Sequence, residues 1–291
     1  MALVFQAAPC RDRAFGGALS QRLNPIAAAC LQDRIAVLNA GLRRAKLNAH
    51  LKKFLLKRGR KLLKKIQTLM GRYSLVGDHQ FFSPAQFPWS KELESNWLII
   101  RKELDEVLRH QQDLPNFQDI SPDQAHLSKE DKWKTFFFFA YGLEAPGNCA
   151  RCPGTIELLK KVPGAKTAFF SILSPHMHIP AHCGPYKGVI RYHLGLIVPK
   201  PENQCRIRVG ETIVHWEEGK GLLFDDTFEH EVWNDTDGIR VVLFMDVLRP
   251  LPYFVGLLNR VIIKAIAASP FIRDAKKNHE AWERRMDQIW S

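Results

Sequence analysis

The sequence has no uninterrupted apolar run long enough for a membrane span or for the centre of a signal peptide, which points away from a helical span and a secretory leader. Cysteine is sparse, with six among 291 residues. Cys149 and Cys152 form the only close pair, and without a second CxxC or nearby histidines they make a poor zinc site. We expect them in a loop ahead of a helix. Nothing suggests a disulfide framework, so a reducing cytosol fits. Acidic residues are missing altogether from Arg34 to Gly77, where 13 Lys and Arg fall. That stretch exceeds the formal net charge of +12 on its own, so the basicity belongs to one segment.

Three regions follow: residues 1–75, Ala-rich and then basic; residues 76–250, with the texture of a packed domain; and residues 251–291, amphipathic and charged. Residues 1–50 show no convincing core pattern. From Leu51 to Met70, the recurrence of Leu55, Leu62, Ile66 and Leu69 predicts a helix whose polar face is nearly all cationic. Such a helix suits an anionic membrane surface, or packs on the domain by its leucines. Nucleic acid is the weaker partner, because no stacking platform or recognised motif accompanies the run. Tyr253 to Ala268 predicts an apolar helix carrying Arg260 and Lys264, too short to cross a bilayer of about 30 Å but long enough to lie in its interface or cover a barrel edge. A charged helix is expected over 271–291.

Inside the central region, Leu93, Trp97, Ile100, Leu104 and Leu108 predict one amphipathic helix from Lys91 to His110. Phe81-Phe82 and Phe87-Pro88-Trp89 look like aromatic turns. Trp133 to Tyr141 is a buried strand, and Thr155 to Val162 is a short helix stopped by Pro163-Gly164. Thereafter strands recur every 8 to 15 residues between Gly, Pro, Asn and Asp, the spacing of an all-β sandwich or barrel. The expected fold is mainly β, a jelly roll with flanking helices at both ends.

The chemistry concentrates in two strand-like runs. His182, in Ala181-His182-Cys183-Gly184-Pro185-Tyr186, is answered 48 residues later by His230, in Phe224-Asp225-Asp226-Thr227-Phe228-Glu229-His230. Two neutral imidazoles from separated strands suit a divalent metal. A carboxylate two residues after the first histidine would be the usual third ligand, but that place holds Gly184. Arg240 lies in an otherwise apolar strand, where an unpaired charge is costly, so it implies either a buried anion or a salt bridge to Asp225, Asp226 or Asp246.

The phrases HCGPYKG, RYHLGLIVP and FDDTFEHEVWND, with an arginine ten residues beyond the second histidine, resemble the aspartyl/asparaginyl β-hydroxylase family of Fe(II)- and 2-oxoglutarate-dependent dioxygenases. The resemblance covers roughly residues 80–250. It implies a double-stranded β-helix with iron on His182 and His230, and 2-oxoglutarate gripped by Arg240. Ser171, Arg191 and His193 resemble family positions that also contact the cosubstrate. The implied reaction consumes O₂ and hydroxylates an unactivated C–H bond.

Gly184 resembles the animal peptide hydroxylases, while lipid A hydroxylases keep an aspartate there. The basic and apolar flanking helices favour a different substrate, the acyl chain of a lipid of ornithine-lipid or lipid A type, met at the inner, cytoplasmic face of an anionic membrane. Peptidyl aspartyl/asparaginyl hydroxylation is the alternative. A non-catalytic jelly-roll binding module is the alternative of another class, invited by Gly184.

Overall fold

The structure, a computed structural model, describes residues 58–289 except 60, 122–126 and 129. The expectations for residues 1–57 lie outside the described residues. The chain falls into two units, residues 1–66 and 67–291. Of the first, residues 58, 59 and 61–66 are described and helical; the second opens with helical residues 67–72, here α1.

Within the second unit, the strands make two antiparallel sheets. The larger has the order β1 (Phe81–Phe82), β9 (Gly221–Phe224), β6 (Val189–Ile197), β11 (Arg240–Leu248), β4 (Ala165–Leu173), β2 (Trp133–Ala140) and β3 (Leu143–Glu144). The smaller has β5 (Met177–His182), β10 (His230–Asn234), β7 (Cys205–Val209) and β8 (Thr212–His215). The result is a jelly roll, as expected.

The larger sheet separates two cores because its long strands alternate strictly. Successive side chains of a strand point to opposite faces. On β6, Ile190, Tyr192, Leu194 and Leu196 join Phe136, Phe170 and Leu243 in an outer core. The alternate residues Arg191 and His193 go inward, as do Ser171 of β4 and Arg240 of β11. There the second core gathers Trp216, Phe224, Val232 and Val242 between the sheets. Each fully buried Phe, Leu or Ile of the outer layer stabilises the fold by about 1.5–3 kcal/mol, so the sheet is anchored from behind.

Helices supply that backing: α2 (Trp89–Ser95), α3 (Trp97–Leu108) and α6 (Pro153–Lys160) cover the outer face, with Leu93, Ile100, Leu104 and Leu158 buried. The single helix expected over 91–110 is two, interrupted at Asn96, whose side-chain amide donates to the Glu92 carbonyl at 2.8 Å. Side chains of this type compete for backbone groups and end helices. Phe81-Phe82 is a short strand rather than a turn, paired with Phe224 and Leu223. Cys149 and Cys152 are not in a loop: Cys149 lies in α5 (Pro146–Arg151), and Cys152 sits at the junction with α6, each helix starting on a proline. A short α4 (Phe117–Ile120) precedes β2, while α7 (Tyr253–Ala267) and α8 (Pro270–Ile289) close the chain.

Candidate active site

His182 ends β5 and His230 begins β10, and the antiparallel register makes them direct partners. Their ring centroids are 4.1 Å apart. Each ring is oriented by its own backbone two residues earlier: His182 Nδ1 lies 2.8 Å from the Pro180 carbonyl, and His230 Nδ1 lies 3.0 Å from the Phe228 carbonyl. A carbonyl only accepts, so each ring places a proton on Nδ1, which makes Nε2 the ring nitrogen able to ligate. Burial first, then the neighbouring His182, pushes the His230 pKa down to about 3. The ring is therefore neutral at physiological pH, the form that binds a metal.

A chain of rings runs inward from this pair. Phe224 packs 5.8 Å from His230 and 5.1 Å from His193, and His193 lies 6.0 Å from Trp216. The Arg240 guanidinium sits 4.6 Å over that Trp216 ring. His193 is buried with neither ring nitrogen hydrogen-bonded, and burial, then Arg240, Arg191 and His230, hold it well below the usual histidine range.

Arg240 is 1% exposed, and Nη1 reaches the Ser171 carbonyl and Oγ only at 3.4 and 3.5 Å, while Nε has no partner. Burial lowers its pKa to about 10. Among the described residues no carboxylate pairs with it. All three aspartates considered as its partners are otherwise engaged: Asp225 by Arg249 and Lys187, Asp226 and Asp246 by Arg191. Ser171 Oγ accepts a hydrogen bond from Trp133 Nε1 at 3.1 Å, which fixes its position beside Arg240. A buried cation and buried polar atoms without partners are costly unless something of opposite charge answers them.

Arg191 is placed differently from Arg240. Its Nε donates to Asp246 at 2.9 Å, its Nη2 lies 2.9 Å from Asp226, and its guanidinium covers Phe244 at 4.3 Å. It borders the same interior while its charge is already neutralised.

Asp226 is the residue that sequence reasoning underrated. The Gly184 amide donates to its carbonyl at 2.6 Å, and a side chain added at Gly184 would overlap its carboxyl group. A carboxylate therefore stands beside the loop after His182 although position 184 has none. Burial, the largest influence, raises its pKa to about 6, and Oδ1 has no partner. Two aspartates four and five residues before His230 were visible in the sequence, but only the fold tells them apart. Asp225 turns the other way, accepting from the Thr227 amide at 3.0 Å and pairing with buried Arg249, which fastens the loop leading to His230.

Among the described residues no group of three or more His, Cys, Asp or Glu is arranged to hold a metal by itself. Two oriented imidazoles fit a divalent ion whose remaining ligands come from cosubstrate and water, and the unanswered Arg240 fits a dicarboxylate reaching past it.

A model of the aspartyl/asparaginyl beta-hydroxylase family matches residues 94–250. The chain belongs to this family. Among family relatives, the ornithine lipid ester-linked acyl 2-hydroxylase of Rhizobium tropici is 44% identical over 219 residues, covering 75% of this chain and 78% of that protein. The human aspartyl/asparaginyl beta-hydroxylase is 36% identical over 165 residues, 55% of this chain but only 21% of that larger protein. Solved structures resemble the chain weakly; a predicted oxalate decarboxylase of Thermotoga maritima gives a TM-score of 0.27 at 13% identity, over 40% of this chain and 80% of that one, too slight to argue from. Hydroxylases among the family relatives make this chain an enzyme of that kind.

Proposed function

We propose that this protein is an Fe(II)- and 2-oxoglutarate-dependent dioxygenase that hydroxylates an acyl chain of a membrane lipid of the ornithine-lipid class. The observation that carries the mechanism is Arg240, a buried guanidinium without a carboxylate partner among the described residues, linked to the His182–His230 pair through the rings of Trp216, His193 and Phe224. With iron and 2-oxoglutarate bound, O₂ is reduced, one oxygen atom enters a substrate C–H bond, and succinate and CO₂ leave with the other.

His182 and His230 would hold the metal, their ring orientation set by the Pro180 and Phe228 carbonyls. Arg240 offers a planar fork to the distal carboxylate, with Ser171 Oγ beside it. His193, kept neutral by burial, and Arg191 contact the cosubstrate from β6. Phe224, Trp216 and Phe244 pack around the His193 ring and keep its surroundings apolar. Asp226 places negative charge on the side of the pair where Gly184 supplies none.

The substrate reading rests on the Rhizobium tropici relative, whose similarity extends over most of both chains. Gly184 is the feature that favours peptidyl aspartate or asparagine instead. Mass spectrometry of total lipids from cells with and without the gene decides between them. A lipid species heavier by one oxygen, lost on deletion and in His182→Ala, is the expected result. An unchanged lipidome beside a proteome that loses hydroxylated Asp or Asn overturns the lipid reading. Purified protein should also consume 2-oxoglutarate in an iron-dependent way, and complete inactivity with an intact fold would leave a binding module.

A further inference from the structure

Helix α7 turns an apolar face away from the protein. Asn259 and Ile263 are buried on its inner side, whereas Phe254 is 82% exposed, Tyr253 74%, and Leu257, Leu258 and Val261 are also exposed. At 3.6 residues per turn, Phe254, Leu257, Leu258 and Val261 form one stripe, with Arg260 and Lys264 along one border. Leu75, 67% exposed, extends it, because its amide donates to the Pro250 carbonyl at 3.0 Å, just ahead of the helix. A continuous exposed apolar stripe of this kind marks an interaction surface.

Charge selects the occupant. From Arg249 to Arg273 there is no Asp or Glu, and Arg260, Lys264 and, beside Leu75, Arg72 are exposed. A second copy docking through the same face would bring these cations together. The basic stretch from Arg34 would meet the same repulsion. An anionic lipid surface meets both the apolar stripe and its cationic border, and aromatic residues at the end of such a stripe suit the headgroup boundary. We propose that the outward face of α7, with Leu75, is the surface by which this protein docks on an anionic bilayer.

The helix lies along that surface rather than crossing it. Fifteen residues span about 22 Å, short of the roughly 30 Å hydrocarbon layer. The next helix runs on at a 55° bend and is tied to the domain: Trp282 Nε1 donates to the Asp113 carbonyl, and Glu283 accepts from the Gly147 amide.

Docking here also sets where the site sits. Buried Asn259 accepts from the Tyr186 hydroxyl at 2.7 Å and donates to the Gly188 carbonyl at 2.8 Å, both in the loop that follows His182. The helix that meets the bilayer is thus bonded to the loop that follows the histidine. This deepens the lipid reading of the proposed function, from which its test is kept separate by using vesicles that contain no ornithine lipid.

The experiment is cosedimentation of the full chain with phosphatidylglycerol/phosphatidylcholine vesicles, against phosphatidylcholine alone, comparing wild type with F254S/L257S/V261S. The wild type should bind the anionic vesicles and be weakened by high salt. The triple variant should lose at least about tenfold in partitioning, since each exposed side chain it truncates forfeits apolar burial in the lipid. Its melting temperature and its 2-oxoglutarate binding should stay as in wild type, because these side chains support no core. Undiminished binding by the variant overturns the proposal and moves docking to the basic segment. Failure of wild type to bind overturns it too, as does a wild-type dimer that the substitutions convert to monomer.

Discussion

The carboxyl group of Asp226 fills the space that a side chain at Gly184 would require, and the Gly184 amide is bonded to the Asp226 carbonyl at 2.6 Å. The missing carboxylate of the histidine motif and the extra one ahead of His230 are two sides of one packing arrangement. Installing an aspartate at 184 is therefore not a simple restoration.

Gly184→Ala and Gly184→Asp should each destabilise the fold by about 1–3 kcal/mol, the usual cost of overpacking a filled site, because Asp226 is held by Arg191 and cannot swing clear without breaking that pair. Urea denaturation measures this. A Gly184→Ala protein as stable as wild type would show that Asp226 moves freely.

Arg240 carries a burial cost that a dicarboxylate should relieve. In the presence of iron, 2-oxoglutarate at a hundred times its dissociation constant should stabilise the protein by about 2.7 kcal/mol, seen as a rise in melting temperature. Arg240→Lys keeps a charge and loses the fork, so the dissociation constant should rise at least about tenfold. An unchanged constant reduces Arg240 to a structural role.

Asp225 and Arg249 form a buried ion pair whose side chains are fully enclosed. Removing one partner strands the other, so Asp225→Ala should cost about 3–5 kcal/mol in denaturant unfolding. Restoring neutrality with Asp225→Ala/Arg249→Met should recover part of that loss, and a double variant no better than the single would contradict the pairing.

Thiol chemistry should order itself by burial. Among the described cysteines, Cys183, exposed beside His182, should alkylate first, while Cys152 and Cys205 are buried and react last. Burial raises the pKa of all three thiols, so less thiolate is present at a given pH and each rate should still climb above the ordinary thiol range near pH 8.5. Peptide mapping after iodoacetamide treatment at several pH values reads both effects, and early labelling of Cys152 would refute the order.

Arg191 and His193 entered the sequence analysis through the family resemblance, and the fold places them on one face of β6 with Tyr192 between them on the other. Arg240 stood out because its neighbours on β11 are apolar. What the chain order hid was mostly local competition and distant pairing. Asn96 looks like any polar position of an amphipathic helix until its amide captures the Glu92 carbonyl. Pro146 and Pro153 start two helices around the cysteine pair, a signal present at the first helical position but read as loop. Asp225 and Asp226 are adjacent and chemically identical, and only opposite orientations in the folded loop give one to Arg249 and the other to Arg191.

The larger sheet places the determinants of folding and of chemistry on opposite faces of the same strands. Phe170, Tyr192 and Leu243 look outward to the helices, and Ser171, His193 and Val242 look inward. Neighbouring residues therefore carry different physical duties. Substitutions on the inner face leave the outer core untouched, so the interior can change while the backing layer keeps the barrel intact. A one-residue slip in pairing would exchange the two faces wholesale, so the register of these strands decides which side chains reach the interior at all.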